Sequence, residues 1–469
     1  MTERRSTGRA AAALAALALA LAGCSSLAPR HERPAAPVAA RFPGDTGAAG
    51  GTPAAEIAWQ QYFGDARLKR LVAIALENNR DLRIAALNIE QARAQVGLRR
   101  ADLLPTVGLG ASLTRQPSTN PDDRGTNVSL YQAGFSVSAF ELDLFGRLRN
   151  LRDAAAAQLL ASEETRNAVQ VSLVASVAST YLALLADEAL MQVSRETLAT
   201  REESLRLTRL RFENGASSEI DFRLAESLLE SARVAYAQQT RQRMLDENAL
   251  VLLLGQEMPQ DLPPPLPITD PQMVAELPAG VPAEVLVRRP DVRAAEQQLA
   301  AANANIGAAR AAFFPRITLT GSAGTASTEL SGLFKSGSFA WTFIPQILLP
   351  IFDAGRNEAG LSLAHASRDV AVAQYERTVQ AAFREVSDAL AGRATLDEQV
   401  RAQQAQANAE ATRTRLAQLR YDNGVASYLD VLDAQRSLFA AQQAVVQTQA
   451  LQAQTRVNLY KVLGGGWNP

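Results

Sequence analysis

Arg211-Phe212-Glu213-Asn214-Gly215 and Arg420-Tyr421-Asp422-Asn423-Gly424 are one pattern written twice, 209 residues apart. Leu254-Gly255 returns as Leu463-Gly464 at the same spacing. Toward the N-terminus, Asp81-Leu82-Arg83, Gly97 and Pro105 return as Asp291-Val292-Arg293, Gly307 and Pro315, each 210 residues on. Matched Gly and Pro landmarks that lose one residue over such a distance mark a tandem duplication. Pro263-Pro264-Pro265-Leu266-Pro267 lies near the join.

The repeated landmarks state the local structure. Asn-Gly suits a left-handed helix end, so Gly215 and Gly424 are read as helix turns. Ser218 with Asp221, and Ser427 with Asp430, have the S-x-x-D spacing of a capping box that opens the next helix. Before each turn runs a stretch with hardly a Gly or Pro, from about Arg147 to Phe212 and from about Gly355 to Tyr421. At 1.5 Å per residue the first predicts a helix about 100 Å long. Each copy therefore ends in a helical hairpin that runs to Gly255 or Gly464.

Ahead of those helices the period falls from helical to two. Val107, Leu109, Ala111 and Leu113 alternate with Thr106, Gly108, Gly110 and Ser112; after a polar loop, Tyr131, Ala133, Phe135, Val137 and Ala139 alternate with Gln132, Gly134, Ser136 and Ser138. The second copy does the same with Ile317 and Leu319, then Phe339, Trp341 and Phe343. The spacing predicts two hairpins, or four strands per chain, with one apolar face. Open edges on an apolar sheet must be closed. Strand length and the aromatics Tyr131, Phe135, Phe339 and Trp341 fit a membrane barrel whose apolar side faces lipid. Two chains would supply eight strands and three chains twelve, and the periodicity fits both.

The first 23 residues carry Arg4, Arg5 and Arg9 and then an apolar run from Ala10 to Ala22, ending at Leu21-Ala22-Gly23-Cys24. This reads as a processed export signal, too short for the roughly 20 residues of a spanning helix. No later stretch is expected to span as a helix. Cys24 is the sole cysteine, which excludes an intrachain disulfide or a Cys metal site. Its position resembles the bacterial lipoprotein signal, in which the cysteine is acylated and becomes the new N-terminus; Ser25 after it favours the outer membrane. Losing the leader removes three arginines and Glu3, which moves the formal charge from −1 to −3. A surface so nearly balanced gives no footing for nucleic acid. Catalysis has no motif either: His31 and His365 have no metal-ligand spacing, and neither a G-x-S-x-G elbow nor a phosphate loop occurs.

The expected organisation is a signal peptide at 1–23 and a flexible lipid-anchored tether at 24–56. A first repeat follows at 57–262, with its hairpin at about 105–145 and long helices to about 254. A Pro-rich linker at 263–280 leads to a second repeat at 281–469, with its hairpin at about 315–353 and helices to about 463. A coiled-coil envelope rod or adaptor lipoprotein without a pore is the alternative reading. The paired hairpins speak against it, since a rod has no use for alternating strands of lipid-spanning length.

These residues resemble the TolC-type outer-membrane factors, in particular the NodT or OprM-like lipoprotein branch. The likeness runs from Trp59-Gln60-Gln61-Tyr62-Phe63 and Ala75-Leu76-Glu77-Asn78-Asn79-Arg80-Asp81-Leu82 to Leu463-Gly464-Gly465-Gly466-Trp467. It is strongest at Arg288-Arg289-Pro290-Asp291-Val292 and from Tyr421 through Asp430-Val431-Leu432-Asp433-Ala434. The resemblance implies a mixed α/β membrane protein: a homotrimer with a twelve-stranded transmembrane β-barrel, continued by a long α-helical barrel in the periplasm. It implies the exit duct of a tripartite efflux system, docked to a periplasmic membrane-fusion adaptor and an inner-membrane pump of RND type. The only non-protein group implied is the lipid on Cys24, and outer-membrane lipid is the surrounding partner. The resemblance also implies a periplasmic constriction at Asp430 and Asp433, one helical turn apart, with Tyr421 and a carboxylate partner matching Asp221. A ring of such carboxylates would repel itself and attract cations. Where some members place an arginine that ties the gate, this chain has Ala426. Asp221 and Asp430 also read as helix caps, whereas Asp433 lies past the first turn of its helix.

Overall fold

The structure, a computed structural model, describes residues 26–30, 32–43, 53–118, 125, 127–277 and 283–467. The signal peptide and Cys24 lie outside the described residues. In chain order the elements are α1 (Trp59–Tyr62), α2 (Ala66–Asn78), α3 (Arg80–Ala101), β1 (Val107–Pro117), β2 (Asn127–Leu142), α4 (Arg147–Glu213), α5 (Glu219–Leu254), α6 (Pro290–Ala311), β3 (Arg316–Ser327), β4 (Phe339–Leu348), α7 (Arg356–Asp422) and α8 (Tyr428–Val462). The duplication is visible element by element: α4 and α7 each have 67 residues.

Contacts divide the chain into two compact units, the first made of residues up to 35, 88–163 and 294–376, the second of 36–87, 164–293 and 377–469. The first holds one antiparallel sheet in the order β1-β2-β3-β4. The β2–β3 pairing joins hairpins far apart in sequence, with Phe135 opposite Ala323 and Gly134 opposite Gly324. Register carries the apolar face across all four strands: Leu109 faces Phe135, Phe135 faces Ala323, and Ala323 faces Trp341. Those large side chains are exposed, Trp341 at 68 % and Leu109 at 75 %. On the other face Ser322 and Thr342 share a hydrogen bond of 2.8 Å. The period-two reading fails at one point. The register of β2 on β3 shifts between Val137 and Phe140, and Ala139 sits at φ 51°. This bulge removes Ala139 from the apolar row and brings Phe140 and Leu142 opposite Leu319 and Ile317.

Gly134 and Gly324 make the seam possible. A Cβ on Gly324 would lie 2.2 Å from the Ala133 carbonyl oxygen and 2.5 Å from the Gly134 Cα. Gly324→Ala is therefore expected to part the two hairpins, seen as loss of the sheet component in far-ultraviolet circular dichroism while the helical signal remains. An unchanged sheet signal would mean that the strands can shift to admit a methyl group.

The second unit is built on α2 and the middle of α4. Leu68, Leu71, Val72 and Ala75 on α2 are fully buried, as are Val177, Ala178 and Leu182 on α4. Contrary to expectation, α4 does contain a stretch long and apolar enough to cross a membrane, but 56 % of that window is buried inside the chain. Its hydropathy is thus spent on this core. Asp65 caps α2 by accepting from the Arg67 and Leu68 amides at 2.6 and 3.3 Å. The same buried carboxylate accepts from Tyr181 Oη at 2.9 Å and the Leu266 amide at 3.2 Å, so its charge is fully solvated by protein donors. Tyr62 stacks on Tyr460 with centroids 3.9 Å apart.

The described part of the tether, expected to be flexible, is anchored, and the Pro-rich linker packs against the core. In the first unit, Ser26 Oγ donates to Asn150 Oδ1 at 2.8 Å, and Arg33 forks onto Glu296 at 2.9 and 2.8 Å. In the second, Phe42 stacks on Phe383 at 4.8 Å. Ser26, Arg33 and Phe42 of the expected tether are thus discrete anchors, which leave no periodicity in sequence. The Pro-rich linker likewise buries Met273, Val274 and Leu277, and Val274 bridges to Phe63.

Candidate gate

Two turns in the second unit carry the residues singled out above. Gly215 has φ 72° and Gly424 φ 74°. The Ala216 amide donates to the Arg211 carbonyl at 2.8 Å, and the Val425 amide to the Arg420 carbonyl at 2.9 Å. Both helices thus close with the same left-handed cap, as the Asn-Gly pairs predict. The next helices open with full capping boxes: Ser218 Oγ accepts from the Asp221 amide, and Ser427 Oγ from the Asp430 amide. Each aspartate returns the bond, Asp221 accepting from Ser218 Oγ at 2.8 Å and Asp430 from the Ser427 amide at 3.1 Å.

The two hairpins meet through a small core. Ala225, Tyr428, Val431 and Leu432 are buried together, with Leu205, Leu224 and Tyr421 packed against them. Arg211 Nη1 donates to the Tyr421 hydroxyl, and its guanidinium lies 4.9 Å from the centre of that ring. Ser204 and Tyr428 share a second bond between hairpins. Tyr421 is thereby held by an arginine of the first copy, while Asp221 remains in its cap with Ser217 and Ser218.

Asp433 differs from the other carboxylates because it caps nothing. Its Oδ2 accepts from Arg413 Nη2 at 3.1 Å and its Oδ1 from Arg436 Nη2 at 2.7 Å. Arg413 reaches across from α7 and also holds Glu410 at 2.8 Å and Ser437 Oγ at 3.0 Å. The clasp is half-exposed, with the Asp433 side chain at 44 % and Arg413 at 46 %. In the first copy the position of Asp433 is Leu224, which packs into the core instead. Sequence reading missed both arginines. Arg436 was available as an i+3 partner, and Arg413 lies nearly as far before Gly424 as Asp433 lies after it, which places them side by side in a hairpin. Among the described residues no group of three or more His, Cys, Asp or Glu is placed to hold a metal ion.

Residues 71–256 and 281–465 each match the outer membrane efflux protein family. The chain belongs to that family. It is 48 % identical over 461 residues to the probable efflux pump outer membrane protein TtgC of Pseudomonas putida, across 97 % of this chain and 95 % of that one. Among solved structures it is similar to a membrane protein from Pseudomonas aeruginosa, with a TM-score of 0.88 and 44 % identity over 94 % of this chain and 98 % of that one. It is also similar to the open state of the Neisseria gonorrhoeae MtrE outer membrane channel, with a TM-score of 0.87 and 43 % identity over 94 % and 99 % of the two chains. The family places the chain in the outer membrane, reaching into the periplasm, as the passive exit duct of an efflux system. It is not an enzyme, and the reading as a poreless rod or adaptor falls away.

Proposed function

We propose that three copies of this chain close one twelve-stranded barrel, that Cys24 carries the lipid that anchors each copy, and that the hairpin turns around Asp430 and Asp433 form the periplasmic gate. The four-stranded sheet carries this reading. Its edge strands β1 and β4 have free hydrogen-bonding sides within one chain, and its exposed apolar face is continuous across every strand. An exposed, unpaired edge on an apolar sheet is unstable in water and in lipid alike. Three copies give a barrel wide enough for a lumen, whereas two would fill their own interior.

A passive duct draws its energy and its cargo from elsewhere. The adaptor and an inner-membrane pump of RND type are the partners proposed here, and they would engage the turns at Gly215 and Gly424. Purified full-length protein is expected to run as a trimer in mild detergent by native mass spectrometry and to insert into planar bilayers as a small, cation-preferring pore. A stable monomer that never conducts would overturn the reading.

A further inference from the structure

We infer that Asp187 on α4 and Asp246 on α5 form a proton-sharing carboxyl pair, a latch that ties the two helices together while it holds a proton and forces them apart once both groups ionise. Asp187 is only 6 % exposed, and its Oδ2 is buried with no donor. Asp246 faces it across the α4–α5 hairpin, where the adjacent Glu188 and Arg243 lie 3.7 Å apart, and itself accepts from Gln242 Nε2 at 3.2 Å. Two carboxylates in such contact cannot both remain charged unless a cation sits between them. Among the described residues the cation acting on Asp187 is Arg243, and it is already engaged by Glu247 at 3.0 Å and Glu188 at 3.7 Å. A shared proton is what remains to join the two oxygens.

The charges acting on Asp187 are Asp246 and Arg243 from α5 and Glu188 from its own helix. Of the other helices packed on α5, α2 carries Arg67, Lys69, Arg70 and Glu77, and α8 carries Asp430, Asp433, Arg436, Arg456 and Lys461; Arg67 acts on Tyr181 and Arg456 on Tyr62, and none of these charges is among those acting on Asp187. Burial, and then the hydrogen bond with Asp246, push the Asp187 carboxyl up to about 7. Folded Asp187 therefore keeps a proton that the unfolded chain releases above the ordinary value of about 3.9. Its contribution to the α4–α5 contact is complete below that value and is lost as pH rises through about 7.

The duplication supplies an internal control. The equivalent positions in the second copy are Leu396 and Thr455. A Cβ built on Gly392 would lie 2.9 Å from Thr455 Cγ2 and 3.7 Å from Leu396 Cδ1, so both side chains border the same point between α7 and α8, and neither carries a titratable group. Only the first hairpin carries the latch.

The test uses the full-length assembly in detergent, with hydrogen exchange read as protection factors from about pH 5 to pH 9 and infrared spectra taken in parallel. Wild type is expected to show a protonated-carboxyl band that disappears near neutrality. Protection around residues 187 and 246 should fall on the order of tenfold over the same range, with no such fall around 396 and 455. Asp187→Asn keeps a donor in place and should lose both the band and the pH dependence. The double change Asp187→Leu with Asp246→Thr copies the second hairpin and should behave alike, which covers a failure of the asparagine variant to fold. A band that titrates without any change in protection, or equal pH dependence in wild type and both variants, would overturn the latch.

Discussion

Arg289→Ala is expected to destabilise the second unit by about 3 kcal/mol, the low end for removing one member of a buried ion pair. The guanidinium is 9 % exposed and meets four acceptors. It forks onto Asp291 at 3.0 and 2.7 Å, reaches Glu385 at 2.8 Å and donates to the Val462 carbonyl at 2.9 Å. Truncation leaves Asp291 and Glu385 facing each other without their cation, and the last turn of α8 without a donor. Both carboxylates remain about 40 % exposed and can recover some water, which holds the cost near the lower limit. A loss of this size should lower the midpoint of thermal unfolding by roughly 6–10 °C, followed by circular dichroism of the detergent-solubilised protein. Arg289→Lys should recover less than half of it, because an ammonium cannot present the planar fork that serves Asp291 and Glu385 at once. A midpoint unmoved in the alanine variant would show that solvent already satisfies these carboxylates.

The stretch around Arg289 illustrates what sequence could and could not say. Arg288-Arg289-Pro290-Asp291-Val292 stood out by resemblance, and Pro290 opens α6, where a missing amide costs nothing. Its chemical reason was hidden, since Glu385 and the Val462 carbonyl come from distant helices that no local pattern links to it. Features set by neighbours in the chain were legible: the Asn-Gly turns, both capping boxes and the alternating strands. The bulge at Ala139 was not, because a register shift depends on the strand opposite. Nor were the anchors at Ser26 and Arg33, which are single long-range bonds. The apolar window of α4 was passed over for a related reason: a buried core helix and a membrane helix have the same composition, and only the surrounding elements distinguish them.

The candidate gate yields the second large effect. Replacing Asp430 and Asp433 together with alanine is expected to raise single-channel conductance and weaken cation preference. Asp433 is held by two half-exposed pairs, to Arg413 and Arg436, each worth about 0.2–1 kcal/mol. Summed over three copies, their loss would remove about 1–6 kcal/mol from the proposed closed arrangement, enough to raise the open population roughly tenfold or more. Three comparisons in the same bilayer separate the roles. Ser427→Ala breaks the capping box of α8 while keeping the Asp430 charge, so an equal rise in current would assign the effect to helix fraying. Arg413→Ala with Arg436→Ala also releases Asp433 but leaves six bare carboxylates in the proposed ring, and cation preference should then strengthen. Arg211→Ala removes the bond to Tyr421 between the hairpins and should open the pore with selectivity unchanged. Ala426 offers no charge at the position where an arginine would tie the gate, so in the proposed gate these contacts are the ones that would hold the closed state. If all four variants conduct like wild type, the constriction lies elsewhere and these aspartates only cap and pair.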